Sequence, residues 1–235
     1  MLRRRTGATS KISRLSQVCD DSASTIRSYR VTDRPAVRVI YGSDEFARPW
    51  LRRKYPRMSE FLADSMSHYT EYEPESTFVA EVHAEVVGAL LGAVDTVRCE
   101  KMYKQRIRPL LVKRCMSGVC GWPMWLLPIL RTDWASRHTH IPEMDSHHYP
   151  AHLHIGVLPQ WRRQGIGTAL MTSYADYLGK GGVAGFHLYA SSFHPLGVAF
   201  YRKLGLKALG QFEWRFHNGL EWMTVTEHVF GLRLN

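Results

Sequence analysis

Alternation of apolar and polar residues, with runs rich in valine, isoleucine and aromatic residues, predicts seven β-strands. These strands are expected at residues 26–30, 77–83, 86–94, 152–158, 186–191, 207–216 and 221–230. The second and third form a hairpin around Ala84-Glu85. The last two form a hairpin across Asn218-Gly219, a dipeptide typical of tight two-residue turns. Two antiparallel hairpins are therefore predicted.

Helical spacing of apolar residues predicts helices between these strands. They are expected at residues 35–41, 58–69, 167–178 and 197–203. Thr32-Asp33 followed by Pro35 marks the start of the first helix, because a capping side chain and an early proline both favour a helix N-terminus. Strands and helices that alternate in this way place residues 23–235 in one domain of the α/β (α+β) class.

A long segment, residues 96–149, separates the third and fourth strands, which is unusual for a compact domain. Its first part, residues 100–116, is predicted as a basic helix broken near Pro109, and its last part, residues 136–149, as a loop rich in histidine. We interpret the segment as an insertion that covers or shapes a site. No His-Glu-x-x-His or matching cysteine pattern accompanies the histidines, so no metal is predicted.

Composition adds that the chain is basic in an uneven way. Of its 235 residues 45% are hydrophobic, which is enough for a core, and the net charge is +10. Residues 1–22 are predicted to be a disordered tail that contributes much of this excess through Arg3, Arg4, Arg5, Lys11 and Arg14. The remaining domain is only mildly basic, which favours a phosphate-rich cofactor over nucleic acid as the anionic partner.

The cysteine spacing and the length of the apolar runs indicate the cellular compartment. Cys19, Cys99, Cys115 and Cys120 form no Cys-x-x-Cys pair, so free thiols in a reducing cytosol are expected. No apolar run approaches the ~18 residues of a spanning helix, so no membrane is predicted as a partner. A cytoplasmic location follows as the expectation, with an organelle presequence in the Arg- and Ser-rich tail as the alternative.

The segment with the most chemical information is Arg162-Arg163-Gln164-Gly165-Ile166-Gly167-Thr168, between the fourth strand and the next helix. A glycine-rich turn that opens a helix exposes backbone N–H groups at the positive end of the helix dipole, which suits phosphate. Gly165 and Gly167 let the backbone approach a pyrophosphate. The alternative is an ordinary turn that needs glycine for its geometry. The spacing is neither that of a P-loop nor G-x-G-x-x-G.

In this segment the chain resembles the GNAT N-acetyltransferase superfamily, whose [Q/R]-x-x-G-x-[G/A] pattern matches Arg162, Gly165 and Gly167. Residues 199–206 are similar to a second motif of that family. The resemblance covers residues 25–230 and leaves the insertion unexplained. It implies the GNAT fold, a mixed central sheet of about seven strands flanked by helices, with strands four and five splayed apart.

The resemblance also implies acetyl-CoA, or another acyl-CoA, as the co-substrate, with no metal. Pantetheine would lie between strands four and five, bonded by main-chain groups of Ile155 and Val157. The pyrophosphate would be held by backbone N–H groups of the turn, namely those of Arg163, Gln164, Gly165, Ile166, Gly167 and Thr168, and Arg162 would add positive charge at the rim.

Three side chains are candidates for proton transfer. The resemblance aligns Tyr201 with a tyrosine that often protonates the leaving CoA thiolate, and Val157 offers a main-chain N–H to the oxyanion. His152 and His154 lie two apart on one strand and share a face, where a histidine base would act near neutral pH. A packing role stays open for all three side chains. Chains that read His-Leu-His-Ile-acid here, such as the acetyltransferase-like domain of O-GlcNAc hydrolases, have aspartate in place of Gly156.

The predicted function is therefore transfer of an acetyl group from acetyl-CoA to an amine of a small molecule or a protein, by direct attack. The alternative is a catalytically weak or inactive GNAT-fold module that binds acyl-CoA. The predicted partners are an acyl-CoA and an amine, and a homodimer stays open because dimers are common in folds of this kind.

Overall fold

A computed structural model describes residues 24–42, 58–116, 131, 135, 139–217 and 221–234. The predicted basic tail, the Asn218-Gly219 turn and the middle of the insertion lie outside these residues. Within the described ranges, no helix is long and apolar enough to cross a membrane.

Seven strands form one mixed sheet in the order β1-β2-β3-β4-β5-β7-β6. They are β1 Thr25–Ser28, β2 Phe78–Val82, β3 Glu85–Ala93, β4 Ala151–Val157, β5 Gly185–Ser191, β6 Lys207–His217 and β7 Trp222–Arg233. Every pair of neighbours is antiparallel except β4 and β5, which are parallel. The predicted α/β class with a mixed seven-stranded sheet is confirmed.

Seven α-helices accompany the sheet in the described part of the chain. They are α1 Arg34–Tyr41, α2 Met58–Ser65, α3 Ser67–Tyr72, α4 Thr96–Met102, α5 Arg108–Met116, α6 Ile166–Lys180 and α7 Pro195–Lys203. The sequence predicted one helix where α2 and α3 lie. The break occurs because the His68 ring bonds the Ser65 carbonyl at 2.9 Å, and the Tyr69 N–H turns to the Met66 carbonyl instead.

The start of the insertion also differs from the prediction. The helix begins at Thr96 rather than residue 100, since the Asp95 carboxylate accepts the Arg98 N–H at 3.0 Å and caps it. The predicted break near Pro109 is a π-helical segment, Tyr103–Ile107, in the turn before the proline. A proline lacks an N–H and its ring crowds the preceding turn, so the distortion falls on that turn.

The two faces of the sheet bury different helices. The α6 face carries Leu90, Leu153, Phe186 and Phe230, which pack with residues of α6 and α7 into the larger core. The α1 face carries Val79, Ala89 and Leu91, which pack against residues of α1, α3 and α4 in a second core. Side chains alternate between the faces along each strand, so register decides which residues meet.

The β2–β3 turn lies one residue earlier than predicted, at His83-Ala84 instead of Ala84-Glu85. Both turn residues have positive φ, 50° for His83 and 64° for Ala84. A two-residue hairpin with this backbone matches the twist of its strands, but it favours glycine or asparagine over alanine. The positive φ of Ala84 therefore strains the turn, and glycine at this position would relieve the strain.

We expect Ala84→Gly to raise the free energy of unfolding by about 0.5–1 kcal/mol, because glycine adopts a positive φ without a Cβ clash. Urea unfolding followed by circular dichroism measures this as a higher midpoint at unchanged slope. The control is Ala199→Gly on the exposed side of α7, which should lower the midpoint. An Ala84→Gly midpoint at or below wild type would contradict the turn geometry.

Asp33 ties β1 to the start of α1 through a buried ion pair. Arg27 donates to its carboxylate at 2.7 and 2.9 Å, and the Arg30 N–H donates at 2.8 Å. Only 6% of Asp33 is exposed. Its side chain makes no cap bond to α1, contrary to the sequence prediction. The carboxylate instead joins the chain on either side of the β1–α1 turn.

The bond from Arg27 lowers the pKa of Asp33 below its usual range. Such a carboxylate stabilises the fold above the unfolded pKa of ~3.9, and this stability is lost as pH falls through the lower folded pKa. We expect Asp33→Asn to lower the free energy of unfolding by about 2 kcal/mol at pH 7. The deficit should shrink below about pH 4 in urea titrations. The exposed Asp176→Asn is the control, and a deficit unchanged at pH 3 would refute this account.

Candidate active site

The sheet opens between β4 and β5. These strands pair at only two positions, Ala151 with Phe186 and His152 with His187. Beyond them β4 stays paired with β3 up to Val157, and β5 stays paired with β7 to its end. The two parallel strands therefore separate into a wedge, called here the gap, whose facing edges can accept an extended ligand as an extra strand.

The register shows which backbone groups line the gap. The Leu158 N–H donates to the Val87 carbonyl at 2.9 Å, which fixes the alternation of bonds along the β3–β4 pair. The backbone groups of Ile155 and Val157 then point away from β3, into the gap. The Val157 carbonyl accepts a hydrogen bond from Arg162 Nε at 2.8 Å, which agrees with a carbonyl that points away from β3. The two residues predicted to bond pantetheine thus present main-chain groups to the gap.

The glycine-rich turn lies at the wide end of the gap and opens α6. Gly165 has φ of 80° and Arg163 has φ of 60°, so both residues of the turn have a left-handed backbone conformation. The first bond within the helix runs from the Ala169 N–H to the Gly165 carbonyl at 3.0 Å. The N–H groups of Ile166, Gly167 and Thr168 therefore have no acceptor inside the helix. They converge at the positive end of the helix dipole, as an anion site requires.

The remaining residues of the turn make different contacts. Arg162 braces the turn against β4 through the Val157 carbonyl. Gln164 donates to the Gln160 carbonyl at 3.2 Å, and Arg163 is exposed at the rim. A Cβ on Gly167 would come within 3.2 Å of the Phe200 ring. A side chain at Gly167 would crowd the packing of α6 on α7, a constraint the sequence did not reveal.

Tyr201 approaches the gap from α7. Its ring is 9% exposed and packs against Phe200 and Phe230. Its phenol lies near enough to Tyr41, on the other face, to contribute to the raised pKa of the Tyr41 phenol. Burial alone raises the pKa of Tyr201, and its hydroxyl has no hydrogen-bond partner in the described part of the chain. Such a phenol keeps its proton at neutral pH.

His152 is held at both ring nitrogens. Thr96 donates its hydroxyl hydrogen to the Pro150 carbonyl at 2.7 Å, so its oxygen accepts a hydrogen bond from His152 Nδ1–H at 3.1 Å. His152 Nε2 then accepts the Tyr69 hydroxyl. Burial lowers the pKa of His152 well below its usual range. The ring is a neutral part of a buried network and has no lone pair left for a substrate.

His154 has a different environment on the same face of β4. Its ring meets those of Tyr69 and His152 edge-on, at 5.4 and 5.9 Å. Burial lowers the pKa of His154 to about 4, so the ring is neutral at physiological pH. None of the described residues bonds its ring nitrogens. Of the two predicted histidines, His154 is the one able to receive a proton.

Four residues that sequence reasoning missed continue the α1 face beyond the gap: Tyr189 on β5, Phe212 and Trp214 on β6, and Glu227 on β7. They lie on predicted strands, at the alternate positions whose side chains point to the α1 face. Nothing in the sequence places them side by side, however, because their neighbourhood depends on the register of three strands.

The described end of the insertion packs against β6 and β7. Residues 142–149 form one wall of a cavity of about 390 Å³, whose other wall includes Lys207 and Arg233. There the Asp145 carboxylate binds the His148 ring at 2.5 Å. Among the described residues, no group of three or more histidine, cysteine or acidic side chains is arranged to hold a metal ion.

Comparisons with known proteins agree with this geometry. The profile of the acetyltransferase (GNAT) family matches residues 43–206. SsHAT, a solved structure, is 26% identical, with a TM-score of 0.64, over 91% of this chain and 99% of its own. The ribosomal-protein-alanine N-acetyltransferase from Brucella melitensis is 15% identical, with a TM-score of 0.54, over 89% and 99%. The Salmonella typhimurium protein yncA, solved with its cofactor acetyl-CoA, is 15% identical, with a TM-score of 0.55, over 91% and 95%.

Proposed function

Because the chain belongs to the GNAT acetyltransferase family, we propose that it transfers an acetyl group from acetyl-CoA, or an acyl group from another acyl-CoA, to an amine. The acceptor is an amine of a small molecule or a protein. The observation that carries the proposal is the gap between β4 and β5, with an anion-binding turn at its wide end. The fold likeness to yncA, which was solved with acetyl-CoA, supports the same donor.

The donor lies along β4 in this proposal. The pyrophosphate takes the N–H groups that begin α6, and pantetheine bonds the main chain of Val157 and Ile155. In acetyl-CoA the thioester lies at the opposite end of pantetheine from the pyrophosphate. The residue farther from the turn, Ile155, therefore meets the thioester carbonyl, and its N–H replaces that of Val157 as our candidate donor to the oxyanion.

Attack comes from the α1 face, because the turn and α7 flank the gap on the α6 face. The amine nitrogen bonds the thioester carbon, the oxyanion collapses, and the carbon–sulfur bond breaks. The amine gives up one proton, directly or through water, to His154. Tyr201 donates its proton to the departing thiolate. The products are CoA and the amide.

A second function has one observation in its favour. Gly156 leaves the α1 face of β4 without a side chain at a position where a carboxylate would face the amine. His154, with a pKa of about 4, is a weak base. A module that binds acyl-CoA without turning it over is consistent with both facts.

Calorimetric titration of acetyl-CoA and CoA into the purified chain, followed by a thiol-release assay with a panel of amines, tests the proposal. Micromolar binding with thiol release matched to acetylated amine would support the enzyme. Binding without release for every amine would favour the binding module. A folded protein that binds neither acetyl-CoA nor CoA would overturn both functions.

A further inference from the structure

A cavity lies on the α1 face of the sheet, between the end of the insertion and the last two strands. Its volume of about 390 Å³ is within the roughly 300–1,000 Å³ of pockets that hold small molecules. Lys207 and Gly210 of β6 and Val229 and Arg233 of β7 form its floor. No residue of β4 or β5 lines it, so the cavity is separate from the gap.

Two positive charges stand side by side on this floor. Lys207 pairs with Gly231, and Arg233 lies two residues further along β7, so both side chains project from the same face as diagonal neighbours. Diagonal neighbours in a sheet are about 7–8 Å apart, a distance that two long side chains can close. Like charges at this separation repel each other, and an anion held between them would remove the repulsion.

The acids of the cavity do not neutralise these two cations. The Asp145 carboxylate accepts two backbone N–H groups of its own segment, at 3.2 and 3.1 Å, and the ring of His148 at 2.5 Å. Glu143 is exposed to solvent. Within the described part of the chain, neither cation has an ion pair or a hydrogen bond. The floor of the cavity therefore presents two charged donors that lack an acceptor.

The opposite wall is packed onto the floor at Tyr149. A Cβ on Gly231 would come within 2.7 Å of the Tyr149 ring, so this ring lies directly on β7. The Tyr149 carbonyl also accepts a hydrogen bond from His187 Nδ1 at 3.0 Å. These contacts place the neighbouring His148 on the wall across from the cations. Its Nδ1 is bonded to Asp145, and its Nε2, which has no partner among the described residues, is left for a ligand.

We propose that this cavity binds a small organic anion, a carboxylate or a phosphate ester, whose oxygens bridge Lys207 and Arg233. Guanidinium and ammonium groups both form charge-assisted hydrogen bonds with carboxylate and phosphate oxygens. The volume leaves room for an organic group beside the anionic end. The inference goes beyond the proposed function and does not depend on it, because the binding is measurable without acetyl transfer.

Calorimetric titration of the full chain with citrate and with glucose 6-phosphate, at an ionic strength fixed with chloride, tests the site. We expect one of the two anions to bind, which identifies the ligand as a carboxylate or a phosphate ester. Lys207→Gln and Arg233→Gln should each weaken that binding about tenfold or more, since each removes a hydrogen bond from a charged donor. A wild type that binds neither anion would overturn the inference.

The charge controls are Lys203→Gln and Arg202→Gln, which remove the same charges from the exposed side of α7, on the other face of the sheet. Both variants should bind the anion as wild type does. A loss equal to that of Lys207→Gln would mean that the anion is attracted to basic surface in general, and it would overturn the inference.

Gly210→Leu tests the cavity without a change of charge. A Cβ on Gly210 would meet nothing within 4 Å, so the leucine side chain would fit and would occupy part of the cavity. We expect it to weaken anion binding about tenfold or more. Gly179→Leu is the control, because a Cβ there also meets nothing within 4 Å and lies at the end of α6. Equal anion binding by wild type and Gly210→Leu would contradict the proposed location.

Two further comparisons exclude the glycine-rich turn and instability as explanations. Gly165→Glu should keep the anion binding that Lys207→Gln loses, and the reverse result would assign the anion to the turn and overturn the inference. In urea unfolding, a saturating anion should raise the midpoint of wild type and not that of Lys207→Gln. Without the anion the two midpoints should be nearly equal, since Lys207 is exposed and has no partner in the described part of the chain.

Discussion

Gly165→Glu should weaken acetyl-CoA binding by at least ~100-fold, the largest effect on affinity that we expect from a single substitution. The new carboxylate would stand among the N–H groups that begin α6, where it repels a pyrophosphate and competes for the same donors. The backbone at Gly165, with φ of 80°, also disfavours any side chain, so the turn would lose its shape. Calorimetric titration of acetyl-CoA measures the change.

Gly182→Glu is the matched control. Gly182 follows the other end of α6, has φ of 71°, and has open space where a Cβ would stand. The substitution therefore imposes the same charge and a similar backbone strain, away from the turn. It should keep wild-type affinity for acetyl-CoA. An equal loss in the two variants would mean that instability, and not the turn, explains the effect of Gly165→Glu.

Tyr201→Phe should lower kcat by about 10²–10³-fold and leave the Kd of acetyl-CoA near its wild-type value. The phenol is the proposed donor of a proton to the thiolate, and loss of one hydroxyl leaves the packing of the ring on Phe200 and Phe230 in place. Because burial raises the pKa of Tyr201, the phenol stays protonated across the usual assay range. The rate should therefore show no alkaline fall from this group below about pH 10.

The control for this variant is Tyr72→Phe, which removes an exposed phenolic hydroxyl from α3. Its kcat should equal that of wild type in the thiol-release assay. A Tyr201→Phe enzyme with wild-type kcat would assign the proton to water and reduce Tyr201 to a packed aromatic. A large rise in the Kd of acetyl-CoA would instead mean that the hydroxyl binds the donor.

The local parts of the fold could be predicted from the sequence because they follow from local chemistry. Alternation along residues 207–216 and 221–230 predicted β6 and β7 almost to their ends, since a half-buried strand shows its period directly. The glycine-rich turn predicted both the start of α6 and the family, and the family match confirms that resemblance. Errors arose where a side chain competed with the backbone, as His68 does between α2 and α3.

The candidate site was predictable only where it is made of main chain or of one short segment. The turn, Ile155 and Val157 belong to one stretch of sequence, and their strand and helix dictate where their N–H groups point. His152 and His154 were equivalent in the sequence. Only the fold brings Tyr69 and Thr96 to His152 and so removes it as a base.

The sequence by itself thus determined most of the elements, the family and the glycine-rich turn to which we assign donor binding. Tertiary structure alone decided how β4 and β5 separate, which histidine keeps a lone pair, and which face of β7 carries Glu227. The physical reason is that strand register and helix packing are set by contacts between residues far apart in the chain. A change of register by one residue would turn Glu227 to the opposite face, and no local pattern around that residue records the difference.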